Sequence, residues 1–155
     1  MAIVQFYCGD VNAPKPTRPT RLGSNVLITC EDKLLLEKRM DSDLWGLVGG
    51  GTKDHETTRD SIAREVYEEL GLRISKDRFI KQKIYDDPSR IAAYQDGSIW
   101  RMVIVAYSLN LDVFPEMKIS KESKELRFFT RSELEKLPIV VTHRDIVKEL
   151  FLNQQ

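Results

Sequence analysis

Two cysteines, Cys8 and Cys30, are too few in 155 residues for a disulfide-stapled scaffold or a cysteine-based zinc site, and they make a reducing cytoplasm the expected compartment. Long hydrophobic runs are missing as well. No window approaches the ~20 apolar residues of a membrane-spanning helix, and the first ten residues have neither the basic start nor the apolar stretch of a secretory signal. Net charge is the third absence. The 24 basic residues balance 24 acidic ones, so the chain lacks the field that holds proteins on nucleic acid. Neither a nucleic acid nor a membrane is expected as a partner, and a small charged ligand in a local pocket suits this composition better. The length is that of one domain able to bury its own core, without repeats or low-complexity tracts.

Pro14, Pro16 and Pro19, set among Lys15, Arg18 and Arg21, mark residues 1–22 as an extended, non-helical arm that lies on the domain or on a second copy, which leaves a homodimer open. The globular domain is expected over residues 23–155. Asn25 to Cys30 and Leu34 to Lys38 read as a hairpin about Glu31-Asp32-Lys33, and Leu44 to Val48 as a short strand ending at Gly49-Gly50-Gly51. Phe79 to Tyr85, Ser98 to Leu111 and Glu125 to Thr130 are further strands. The loop Asp86 to Gly97 joins the first two and ends in an Asp-Gly turn signal. Helices are expected over Ser132 to Lys136 and over Thr142 to Leu152, the second capped by Thr142 with Asp145.

The most informative element is a helix from Thr58 to Leu70, with Thr57 and Asp60 as a capping pair and Gly71 at the C′ position. Its period places Ile62, Ala63, Val66, Tyr67 and Leu70 on the stripe facing the sheet. Glu65, Glu68 and Glu69, at i, i+3 and i+4, fall together on a face expected to point outward. Like charges at that spacing destabilise a helix by a few tenths of a kcal/mol per pair. A divalent cation would reverse the sign of that contribution.

Gly50, Glu56, Arg64, Glu65, Val66, Glu68, Glu69, Gly71 and Leu72 satisfy G-x5-E-x7-R-E-U-x-E-E-x-G-U, with U aliphatic, over 23 residues. On this motif the chain resembles the Nudix (MutT-like) hydrolases. Val26 to Arg39, Trp45-Gly46-Leu47 and Glu125 to Phe129 extend the likeness. Val48 stands where a proline is common, and Lys53 and His55 also depart from frequent choices. These departures bear on loop shape and substrate choice more than on hydrolysis.

The resemblance implies an α/β fold, an α/β/α sandwich about a mixed β-sheet. It implies hydrolysis of a nucleoside diphosphate linked to a moiety X, giving a nucleoside monophosphate and phospho-X, with Mg²⁺ as cofactor and Mn²⁺ as a substitute. The metal set is Glu68 and Glu69, the Gly49 carbonyl, and Glu65 as ligand or base. Glu56 and Arg64 brace loop and helix. Glu122 and Glu125, in the loop before the last strand, are alternative bases. Lys38 and Arg39 are candidates for phosphate, since guanidinium matches it bidentately. Trp45 and Phe128 are candidates for stacking, although Trp45, Tyr85, Trp100, Phe128 and Phe129 read equally as core. Pro88, Arg90 and Tyr94 would shape the pocket for X. His55 and His143 are expected at the surface. ADP-ribose, a nucleotide sugar, an oxidised dNTP and a dinucleoside polyphosphate stay open as substrates. A non-catalytic nucleotide-sensing domain and an interaction module using the proline arm are the rival readings.

Overall fold

The computed structural model describes residues 3–154; the first two residues of the expected arm and Gln155 lie outside them. The organising feature is a hairpin that does not stay paired. Strands β2 (Arg21–Cys30) and β3 (Lys33–Arg39) meet only at Thr29–Leu34 and Cys30–Lys33, across a tight turn with both Glu31 and Asp32 at positive φ. Beyond that point they diverge. The expected strand at 44–48 therefore divides: β4 (Trp45–Gly46) pairs with β3, and β5 (Val48–Gly51) crosses over to pair antiparallel with β2. Leu47 sits at the crossing, and its N–H donates to Nδ1 of His143 at 3.1 Å instead of to a strand.

Helix α1 (Thr58–Leu70) has the expected bounds, with a full Thr57–Asp60 capping box and Gly71 in the left-handed conformation. Ile62, Val66 and Leu70 bury against Val26, Ile28, Leu35 and Val48 on one face of the sheet. Two parts of the expected orientation change. Tyr67 is exposed at the edge of the stripe, and the glutamate face is solvated only in part: Glu68 is exposed, whereas Glu69 is only 4% exposed. The diverging strands let β5 come up beside the helix, so the face expected to meet water meets backbone.

The remaining strands follow the alternation of their side chains. β8 (Ile99–Asn110) runs parallel to β2 and antiparallel to β6 (Ile80–Tyr85), which makes the sheet mixed. β9 (Ser123–Phe129) pairs with β3 through a bulge at Lys38/Arg39 and starts two residues earlier than expected. Helix α2 (Arg131–Leu134) is capped by Thr130 with Glu133, and α3 (Val141–Val147) continues as wider, π-type turns over Lys148–Leu152. Thr142 does not cap that helix. Val140 holds the cap position, while Asp145 turns to Arg90. Ile146, Val147 and Phe151 pack with Leu34, Leu36, Trp45 and Ile104 on the second face of the sheet. Period two of the strands thus feeds two cores, and the α/β/α sandwich expected from the sequence is present.

The segment between β6 and β8 is not a free loop. It contains β7 (Ile91–Tyr94), which pairs with β8 and with β1 (Val4–Tyr7), so the segment read as an arm supplies a strand on the sheet. The Asp96-Gly97 turn forms as expected, with Ser98 N–H donating to the Asp96 carboxylate. Arg90 is 1% exposed, and it donates to Asp87, to Asp145 and to the Thr142 carbonyl. It ties this segment to α3.

A buried guanidinium satisfied by half-exposed carboxylates stabilises through its charge-assisted hydrogen bonds. Arg90→Met should lower unfolding free energy by about 2 kcal/mol in urea titrations, whereas Arg73→Met, at an exposed site, should change it by under about 0.5 kcal/mol. Equal losses in the two variants would show that the buried network adds nothing.

Candidate functional site

Where β2 and β3 separate, they leave a cleft of about 370 Å³, bounded by the Gly49-Gly50-Gly51 strand, by Glu65 and Glu69 of α1, by Glu37 and Arg39 of β3, and by His143 of α3. Glycine is required at its floor. Gly49 holds φ +151°, and a Cβ there would stand 2.1 Å from the Ser24 carbonyl oxygen, so no side chain fits. A Cβ on Gly50 would lie 2.6 Å from the Glu65 carboxylate. The missing side chain is what lets Glu65 lie against the strand.

Arg64 fastens the loop to the helix. Its Nε and Nη2 form a fork onto Glu56 at 2.7 and 3.0 Å, Nη2 also donates to the Gly51 carbonyl at 3.1 Å, and Nη1 reaches Glu65 at 3.0 Å and Glu68 at 3.1 Å. The fork holds the Glu56 carboxyl down at about 2, against the opposing effect of burial. Glu56 also accepts the Lys53 N–H, which closes the turn before the helix.

Among the described residues no guanidinium or ammonium forms a hydrogen bond with Glu69. Its carboxylate accepts the Gly49 N–H at 3.1 Å, and burial, then the charges of Glu37 and Glu65, push its pKa well above the carboxylate range. Glu37 is 3% exposed and accepts the Ser123 hydroxyl at 3.1 Å; burial raises it to about 7. Glu65 is raised as well, by burial first. Carboxylate oxygens on a rigid helix and strand are hard ligands of the kind a divalent cation takes.

A family model for the NUDIX domain matches residues 19–150. The chain belongs to the Nudix family. Over 127 residues it is 32% identical to an ADP-ribose pyrophosphatase of Methanocaldococcus jannaschii, covering 79% of this chain and 68% of that one. Over 96 residues it is 27% identical to the nucleoside triphosphatase NudI of an Enterobacter species, covering 61% and 67%. In fold it is similar to a bifunctional NMN adenylyltransferase/ADP ribose pyrophosphatase from Francisella tularensis, solved with AMP and a manganese ion, at TM-score 0.67 and 20% identity over 87% of this chain. The chain spans 42% of that larger protein.

Of the residues singled out in the Nudix sequence, the structure brings Gly49, Glu65, Glu69, Arg39, Glu122 and Tyr94 to the cleft. Glu68, expected as a principal metal ligand, does not line the cleft; it is 49% exposed and turned to Arg64. Glu125 pairs with Arg127 outside the cleft, and Lys38 lies near Asp43. Trp45 is core, edge-on to Phe129, while Phe128 packs on Phe114. Arg90 is committed to Asp87 and Asp145, and Pro88 is exposed in the preceding turn. His143 is not at the surface but 5% exposed, and burial with the charges of Arg39 and Arg90 lowers it to about 3, so the ring is neutral. Sequence reasoning missed Glu37 and Asn25. Glu37 left a trace, an acid directly after the run Leu34-Leu35-Leu36 and on the same strand face as Leu35 and Arg39. Asn25, donating to the Leu47 carbonyl at 3.2 Å, left none.

The two kinds of carboxylate pull metal-free stability in opposite directions. For Glu56, held low, the unfolded state binds more protons between about 2 and 4.5, so stability rises with pH there. For Glu37, held high, the folded state keeps the proton while the unfolded state loses it, so stability falls as pH rises from 4.5 through about 7. In chelator-treated protein, the melting temperature of Glu37→Gln should rise relative to that of the parent as pH goes from 4.5 to 8. Parallel slopes would show that Glu37 imposes no such penalty.

Proposed function

We propose that this chain is a divalent-metal-dependent pyrophosphohydrolase that cleaves a nucleoside diphosphate linked to X into a nucleoside monophosphate and phospho-X. The observation that carries the reading is the placement of Glu65 and Glu69 against the glycine strand, inside a cleft whose other wall bears Arg39. The relatives' names, ADP-ribose pyrophosphatase and nucleoside triphosphatase, support the same bond; a triphosphate is the case in which X is phosphate. ADP-ribose is the first compound to test.

Glu69, Glu65 and the Gly49 carbonyl would hold Mg²⁺, with Mn²⁺ as substitute, and Glu68 would join them on leaving Arg64. When bound, the metal neutralises phosphoryl charge and acidifies a water. Arg64 keeps Glu65 aimed at the floor of the cleft while Glu56 locks the loop. Arg39, already oriented by Asp41 through two bonds of 2.8 and 2.6 Å, supplies a cation for a phosphate oxygen. Glu122, which lines the cleft, would take the proton of the attacking water, while Glu125 is paired with Arg127 outside it.

A phosphatase-coupled screen of nucleotides should show phosphate release from at least one nucleoside diphosphate derivative, and only with Mg²⁺ or Mn²⁺ present. Glu69→Gln should keep the fold, lower kcat by about a hundredfold or more, on the order of 3 kcal/mol, and blunt the rise in melting temperature that the cation gives the parent. Turnover within about tenfold of the parent at saturating Mg²⁺ would remove Glu69 from the site.

A further inference from the structure

His143 has a fixed tautomer and one unused hydrogen-bond donor. Nδ1 accepts the Leu47 N–H at 3.1 Å, so in the neutral ring the proton is on Nε2. Among the described residues Nε2 has no partner, and it is not one of the fully enclosed orphan atoms, while His143 lines the cleft. A donor with these properties in a nearly buried ring opens toward whatever occupies that end of the cleft.

That end differs from the carboxylate end. α3 packs beside β1, and Phe6 and Tyr94, from β1 and β7, share the cleft with His143, Met102 and Ile104. Arg39, which lines the same cleft, lies 5.2 Å from the centroid of the Phe6 ring. Flat aromatic and soft apolar groups suit a planar ring, and a neutral donor suits a neutral acceptor. A phosphate oxygen would be served by the arginines.

We propose that His143 is a specificity-determining residue: its Nε2–H donates to a ring-nitrogen or carbonyl acceptor of the substrate's nucleobase, which lies against Phe6 and Tyr94. The aim of the donor is set from behind. Leu47 fixes the ring's far side, and Arg90, bonded to the Thr142 carbonyl and to Asp145, pins the turn that carries it. A base lacking the acceptor leaves this nearly buried donor unpaired, a mismatch that polar sites penalise more heavily than a missing methylene. This role deepens the hydrolase reading and rests on it only for its kinetic consequence.

The test needs no turnover. The full chain, with ¹⁵N-labelled histidine, is titrated with AMP, GMP, CMP and UMP, each against an analogue in which a ring nitrogen is replaced by carbon or a carbonyl is removed. The His143 Nε2–H signal should appear in the metal-free protein and move with at least one monophosphate. The matching analogue should bind tenfold or more weakly. His143→Leu should erase that tenfold difference, and His143→Gln, which can still accept from Leu47 and donate into the cleft, should retain most of it. Discrimination unchanged in a folded His143→Leu, an Nδ1–H tautomer, or a signal unmoved by every monophosphate in a protein that hydrolyses nucleotides would each overturn the proposal. A responding signal in a protein that hydrolyses nothing would support it while sinking the hydrolase reading.

Discussion

The Arg64 guanidinium joins three parts of the chain at one point: the Gly51 carbonyl, the loop acid Glu56, and the helix acids Glu65 and Glu68. A planar fork suits this task where a lysine would not, because it meets one carboxylate with two parallel bonds and still has donors left for others. With the loop held, Gly49 and Gly50 stay against α1, and Glu65 and Glu69 stay in the cleft.

Positive charge is unevenly distributed over the acids that Arg64 organises. Glu56 receives a two-bonded guanidinium and is stabilised as an anion, whereas Glu69 and Glu37, buried side by side, accept hydrogen bonds from a backbone N–H and a hydroxyl and feel an Arg39 charge that does not offset their burial. The stabilised acid is structural. The acids left short of a cation are those facing the cleft, which is how functional carboxylates and structural ones separate in energy. Such an arrangement costs stability in the metal-free chain and gives a cation an incentive to bind.

The cleft exists because a hairpin opens. Were β2 and β3 paired along their length, backbone would fill the space that Glu37, Arg39 and Asn25 now line. The crossing at Leu47 keeps the opening from stranding polar groups: Asn25 takes the Leu47 and Val48 carbonyls, and His143 takes the Leu47 N–H. The polar groups that repair the broken ladder are thereby delivered to the cleft, so the same residues serve fold and site.

The sequence by itself determined what is local. Helix α1, its capping box and its glycine terminus follow from spacing within one segment, as does the sharing of one face by Glu65, Glu68 and Glu69, and the strands follow from runs of apolar residues. Fold class and family were legible from the nine fixed positions, and the family model bears them out. Only the tertiary structure decided what lies opposite each face. Whether an acid on α1 is solvated or buried depends on where β5 crosses, some twenty residues away, and Glu37 enters the cleft only because its strand leaves its partner. Arg90 and Tyr94 were both expected at the ligand, yet register with β1 and β8 sends Tyr94 to the cleft and Arg90 to α3. His143, read as a surface residue, is buried because a backbone N–H ninety-six positions earlier in the chain needs an acceptor. Periodicity assigns side chains to faces; contacts between distant segments assign those faces their surroundings.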